Sequence, residues 1–144
     1  MLSRICAGSC TLRHFPLHHI KLHGGLYHAV EKDPALARRY LATVCRYWPG
    51  VKVYALTNGT VQRVSRGGRV QVWGEAFADR AYAANGTLVP RGRPGAVLTS
   101  AEAVVKQVEA MIGQAGVNTI CIHGDTPNAV RLAKEVVKVA REHD

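Results

Sequence analysis

Short valine-rich runs alternate with longer amphipathic segments along this chain, and that alternation restricts its fold more than any other feature. His18 to Leu22 (HHIKL), Val51 to Leu56 (VKVYAL), Arg69 to Gly74 (RVQVWG) and Val117 to Ile122 (VNTICI) read as strands. Asp33-Pro34 opens a helix as N-cap and first helical residue, with Leu36, Ala37, Tyr40, Leu41, Val44 and Cys45 on its apolar face and Pro49-Gly50 as its stop. A short helix to about Ser65 follows Asn58, with Val61 and Val64 facing inward. Thr99-x-x-Glu102 matches a capping box for a helix bearing Val104, Val105, Val108, Met111 and Ile112. Thr126-Pro127 starts the last helix, whose inner face is expected at Val130, Ala133, Val137 and Ala140. Strand and helix alternate four times at intervals long enough for crossovers, which predicts an α/β fold with a parallel sheet.

The 144 residues suffice for one domain with a core. No apolar run approaches the roughly 20 residues of a membrane helix. The first residues turn to His and Pro without a sustained apolar stretch, so no secretory signal is expected and the chain reads as cytoplasmic. Of the four cysteines, Cys6 and Cys10 are four apart and no CxxC pair exists, which supports neither a zinc knuckle nor a redox motif. Cys45 and Cys121 read as core residues. The formal charge of +9 is spread along the chain, densest at Arg63, Arg66 and Arg69, and the few aromatics do not interleave with it. Nucleic-acid binding is therefore not the favoured reading.

Lining up the strand ends reveals a pattern. They are Lys21-Leu22-His23-Gly24, Thr57-Asn58-Gly59, Gly74-Glu75 and His123-Gly124-Asp125-Thr126, each pairing polar or titratable residues with a glycine. In a parallel sheet these ends share one rim, where glycine lets backbone or ligand approach closely. The stretch after the third strand, WGEAFADRAYAANGTLVPR from Trp73 to Arg91, adds Asp79, Arg80, Tyr82 and Arg91. These residue types suit hydrolysis or anion handling. Glu75 is a candidate general base, and His123 a proton shuttle with Asp125 fixing its tautomer. Lys21, Arg80 and Arg91 suit a carboxylate or phosphate, and Asp125-Thr126-Pro127 offers backbone N–H groups at a helix start. The plainer alternatives are an internal ion pair of Asp79 or Glu75 with Arg80 or Arg91, caps at Asp125 and Thr126, and a His23 that only bonds a neighbouring strand end. A metal site from His23, His123 and Asp125 is a further option that spacing alone does not establish.

Three segments together resemble the LamB/YcsF family, the A subunit of prokaryotic 5-oxoprolinase. IKLHGGLYHAV at 20–30 is similar to its VKPHGALYN-type motif, EAFADRAYAANGTLVPRGRPGAVL at 75–98 to its E-FADR-Y, G-LV-R and GA-L block, and TICIHGDTPNAV at 119–130 to its ICVHGDTP-AV signature. Leu22, Gly25 and His28 depart from the first motif. The resemblance implies a (β/α) barrel of the glycoside hydrolase/deacetylase type. It also implies an enzyme that works with B and C subunits to open the lactam of 5-oxoproline to L-glutamate at the expense of ATP. Carried over on motif matches, the site residues are Lys21, His23, Glu75, Asp79, Arg80, Arg91, His123 and Asp125, with Thr126 beside them. Family members are longer, and their DLGE-, FHAGD- and GAHP-type segments have no counterpart here. Residues 1–17 are accordingly expected to be an unrelated leader and 18–144 the C-terminal half of the barrel. Four βα units do not close a barrel, so self-association through the open sheet edge, or a need for a complementing fragment, is expected.

Overall fold

The computed structural model describes residues 17–143. The leader expected over residues 1–17, including Cys6 and Cys10, lies outside them except for Leu17. Strands β1 (His19–Lys21), β2 (Lys52–Leu56), β3 (Val72–Phe77) and β4 (Val117–Cys121) form one parallel sheet in the order β1-β2-β3-β4. Helices α1 (Gly24–Lys32) and α2 (Pro34–Tyr47) follow β1, and α3 (Thr60–Val64), α4 (Ala101–Met111) and α5 (Ala129–Glu142) follow β2, β3 and β4. Consecutive strand order makes every crossover step the same way, and right-handed crossovers then put all helices on one face. The result is a segment of (β/α) barrel wall, four units around.

Strand alternation divides the side chains between the two faces. Val53, Ala55 and Ala76 point to the helices and are almost wholly buried. Val53 and Ala55 join Val30, Ala37, Tyr40, Leu41 and Val44 in the core beneath α1 and α2. A second cluster, Ala78, Val104, Val108, Leu132, Val136 and Val139, locks α4 to α5. The opposite face carries Lys21, Tyr54, Trp73, Glu75, Phe77 and Cys121, paired in register across the strands. It is strongly concave: Lys21 on β1 reaches the Cys121 Sγ on β4 at 3.1 Å, although a flat sheet would hold the outer strands about 14 Å apart.

Several local expectations shift. Asp33 caps α2 as expected, its Oδ1 accepting from Ala35 N at 2.8 Å and Leu36 N at 3.2 Å. Helix α1 is absent from the elements read in the sequence; it begins at Gly24, which takes φ +56°, and buries Tyr27 and Val30. The cap of α4 is Ser100, one residue past the expected Thr99, accepting from Ala103 N at 3.1 Å. Helix α5 starts at Ala129 behind a left-handed Asn128 instead of at Thr126-Pro127. Its buried stripe is Leu132, Val136 and Val139, while Val130 and Val137 of the expected face are 73% and 49% exposed. Both stripes are apolar, and the one bearing the leucine meets Val104 and Val108 of α4. Finally, β3 runs three residues further than expected, so Glu75 lies inside a strand and not at its end.

Candidate functional site

That longer β3 decides the geometry of the rim. It passes Gly74, where a Cβ would collide with the Gly116 carbonyl, so only glycine allows β3 and β4 to pair through the irregularity between residues 74 and 75. The strand then presents Glu75 and Phe77 on the concave face. Glu75 is 2% exposed and ion-paired to Lys21 from β1. Its Oε2 is buried without a hydrogen-bond partner among the described residues. Burial alone would lower the Lys21 pKa, but the bonds to Glu75 and Cys121 outweigh it and hold the ammonium above its ordinary value. Burial pushes the Cys121 thiol up in spite of the neighbouring ammonium. The Lys21 Nζ also stands 5.3 Å from the centre of the Phe77 ring, and His123 stacks on that ring at 5.4 Å.

His123 follows β4, and Asp79 follows β3. The fully buried Asp79 accepts from the His123 backbone N at 3.0 Å and meets the ring Nδ1 at 2.9 Å. The Thr126 hydroxyl donates to the same carboxylate. Burial would raise the Asp79 carboxyl, yet the hydrogen bonds from Thr126 and His123 prevail and hold it below the ordinary carboxylate range. An ionised carboxylate only accepts, so the proton of a neutral His123 sits on Nδ1 and the lone pair on Nε2. The ring is 27% exposed. This is a histidine with a fixed tautomer and an open basic nitrogen, the arrangement of a general base.

The remaining expected residues take other roles. Asp125 does not orient His123; it forms an exposed two-pronged pair with Arg91, at 2.6 and 2.8 Å, and Asp79 takes the tautomer-fixing role from a different strand end. Arg91 and Asp125 each hold the other's charge, raising the guanidinium pKa and lowering the carboxyl. Arg80 is buried and donates to the carbonyls of Ala96 at 3.3 Å and Val89 at 2.6 Å, bracing the loop that follows β3 instead of facing an anion. Asp79 and Thr126 act on His123 and not on a substrate anion. Since α5 begins at Ala129, the expected anion site at a helix start over 125–127 is not formed. His23 is exposed at the start of α1 and makes no side-chain cap. His23, His123 and Asp125 do not gather into a metal site, and no group of three or more metal-ligating side chains occurs among the described residues. The internal pairs considered for Glu75 and Asp79 with Arg80 or Arg91 give way to Lys21–Glu75 and Arg91–Asp125. Lys21, Arg80 and Arg91 are thus each engaged with a group of this chain.

Three residues of the site escape a reading of the sequence. Cys121 reads as core, yet it stands on the concave face beside Lys21; its position two residues before His123 on a strand, hence on the same face, is the available signal. Phe77 bridges the two halves of the site. The Gln107 amide nitrogen of α4 lies 2.9 Å from each of the Phe77, Ala78 and Arg80 carbonyls and pins the turn that carries Asp79. Nothing in a helical stripe marks a glutamine for that task. Tyr82 accepts from Phe77 N at 2.8 Å, and burial pushes its hydroxyl up to about 12.

Comparisons with known proteins agree with this architecture. The sequence profile described as the LamB/YcsF family matches residues 4–144. The chain is 38% identical to the 5-oxoprolinase A subunit of Pyrococcus horikoshii, over 88% of this chain and 54% of that protein. It is 32% identical to the 5-oxoprolinase A subunit of Haemophilus influenzae, over 95% of this chain and 59% of that one. The crystal structure of a lactam utilization protein from Thermus thermophilus superposes with a TM-score of 0.77 at 28% identity, covering 94% of this chain and 60% of that chain. The chain thus spans a little over half the length of the relatives it matches.

Proposed function

This chain belongs to the LamB/YcsF family, and on that premise we propose that it supplies the proton-handling part of a 5-oxoprolinase site, acting as an A-type subunit that opens the lactam of 5-oxoproline to L-glutamate with B and C subunits and ATP. The observation that supports this most is the convergence of two part-buried pairs, Lys21–Glu75 and Asp79–His123, on one Phe77 ring. In the proposed reaction a water oxygen bonds to the lactam carbonyl carbon and the ring C–N bond breaks. His123 Nε2 takes the proton from that water and returns it to the departing nitrogen, while Asp79 stabilises the intervening imidazolium. Glu75 Oε2 is the acceptor for the lactam N–H. Lys21 has a third N–H beyond those directed at Glu75 and Cys121, which suits the lactam carbonyl oxygen. ATP belongs to the complex in this scheme, since Lys21, Arg80 and Arg91 are already engaged with groups of this chain.

Reconstitution with the B and C subunits, ATP and 5-oxoproline tests the proposal by glutamate release. Release should fall by at least about a hundredfold in His123→Ala and Glu75→Gln. Turnover indifferent to both substitutions would refute it. The open concave sheet favours a second reading, a non-catalytic module that binds the other subunits. Co-purification with the B and C subunits in the absence of any turnover would select that one.

A further inference from the structure

Helix α1 brings one more polar group to the concave site. Its Tyr27 is 5% exposed, and the ring meets the Phe77 ring edge-on at 5.7 Å between centres. Lys21 and His123 stand against the same Phe77 ring, and Glu75 lies two residues before it, on the same face of β3. The Tyr27 hydroxyl and Glu75 Oε2 are both buried, and each lacks a regular hydrogen bond among the described residues. They are also neighbours: burial first, and the Glu75 carboxylate next, push the Tyr27 hydroxyl far above its ordinary range. A buried neutral hydroxyl needs an acceptor and an ionised carboxylate only accepts, so the two unmet needs are complementary.

We propose that Tyr27 is a positioning residue of this site, its hydroxyl donating to Glu75 Oε2 and fixing the plane in which that carboxylate meets a substrate. The ion pair with Lys21 engages Oε1, which alone would let the carboxylate pivot about that contact. A second bond at Oε2, from a different element, removes the pivot. A carboxylate oxygen has two lone pairs, so Oε2 keeps one for the lactam N–H; that consequence rests on the proposed 5-oxoprolinase reading, whereas the pairing itself does not. Helix α1 is held firmly enough for the task. One turn beyond Tyr27, on the same helical face, Glu31 Oε2 accepts from Thr60 N at 2.5 Å, and the Glu31 carbonyl accepts from the Thr60 hydroxyl at 2.7 Å. Phenylalanine would pack against Phe77 as well as tyrosine does. Packing therefore does not account for the hydroxyl, whose burial is costly unless it is bonded.

Proton NMR on the folded whole chain, with carbon-labelled tyrosine to assign hydroxyl protons, tests the pairing. Tyr27 should give a slowly exchanging hydroxyl signal downfield of the amides. Glu75→Gln should move it upfield, because a neutral acceptor bonds more weakly, and Glu31→Gln should leave it in place. Absence of the signal, indifference to Glu75→Gln, or an equal displacement by Glu31→Gln overturns the pairing. Should Glu75→Gln not fold, a parent signal that Glu31→Gln leaves unmoved supports the pairing, and its absence overturns it. In the reconstituted reaction Tyr27→Phe should raise the KM for 5-oxoproline about tenfold, with kcat within about threefold of the parent. An unchanged KM, or a loss confined to kcat, overturns the positioning role. A parent chain that releases no glutamate would sink the lactam reading and leave the hydroxyl signal to decide the pairing.

Discussion

Asp79 governs His123 through both its backbone and its ring, and this double hold makes a single-atom change informative. Asp79→Asn preserves shape, but its amide side can donate to Nδ1 and so stabilise the tautomer whose proton is on Nε2, removing the base. In the reconstituted reaction, glutamate release should drop about a thousandfold with little change in KM for 5-oxoproline. The same carboxyl shapes acid stability. Its folded-state pKa lies below the ordinary value of 3.8, so its contribution is complete above that value and is lost as the pH falls through the folded-state value. Urea unfolding should therefore show Asp79→Asn less stable than the parent by about 2 kcal/mol near neutral pH. The gap should narrow as the pH falls below 3.8. A gap that stays constant into acid would mean that the charge of Asp79 is immaterial to the fold.

The elements record where sequence patterns suffice and where they do not. Four strands, their parallel pairing and the capped start of α2 follow from apolar periodicity and from Asp33-Pro34, which are local properties. The burial phase of α5 does not, because Val130-Ala133-Val137 and Leu132-Val136-Val139 are both apolar stripes and only contact with α4 chooses between them. Likewise the sequence points to Asp125 as the partner of His123, because it stands two residues away. Register between β3 and β4, which is non-local, selects Asp79. Thr126 loses its expected capping role for the same reason, as its hydroxyl is taken by Asp79. Gly74 reads as a terminator but works as an interior strand residue. Its replacement tests that point: Gly74→Ala forces a methyl into the Gly116 carbonyl. It should cost about 3 kcal/mol, seen as a melting-temperature drop of about 10 °C or as failure to accumulate folded protein. Gly92→Ala has no atom within 4 Å of its added Cβ and should change stability by less than about 0.5 kcal/mol.

At the scale of the molecule, the described residues build a trough whose inner wall is unusually aromatic near the strand starts. His19 stacks on Tyr54 at 3.9 Å, Tyr54 on Trp73 at 5.7 Å, and the Lys52 ammonium stands 4.1 Å over the Trp73 ring. In a closed barrel such an inner wall is packed by side chains from the facing strands. Four strands leave it facing solvent, and β1 and β4 each keep an edge unpaired by any other described strand. Stacked rings beside open edges favour association over a lone monomer, because burying one aromatic side chain contributes about 1.5–3 kcal/mol. The isolated chain should therefore scatter light as an oligomer. Trp73→Lys, which sets a second cation against Lys52, should shift it toward the mass of one chain. Val137→Lys on the exposed stripe of α5 serves as the control for the convex side and should leave the oligomer intact. A wild-type monomer that melts cooperatively would show instead that this wall is stable open, and dissociation by Val137→Lys alone would move the contact to α5.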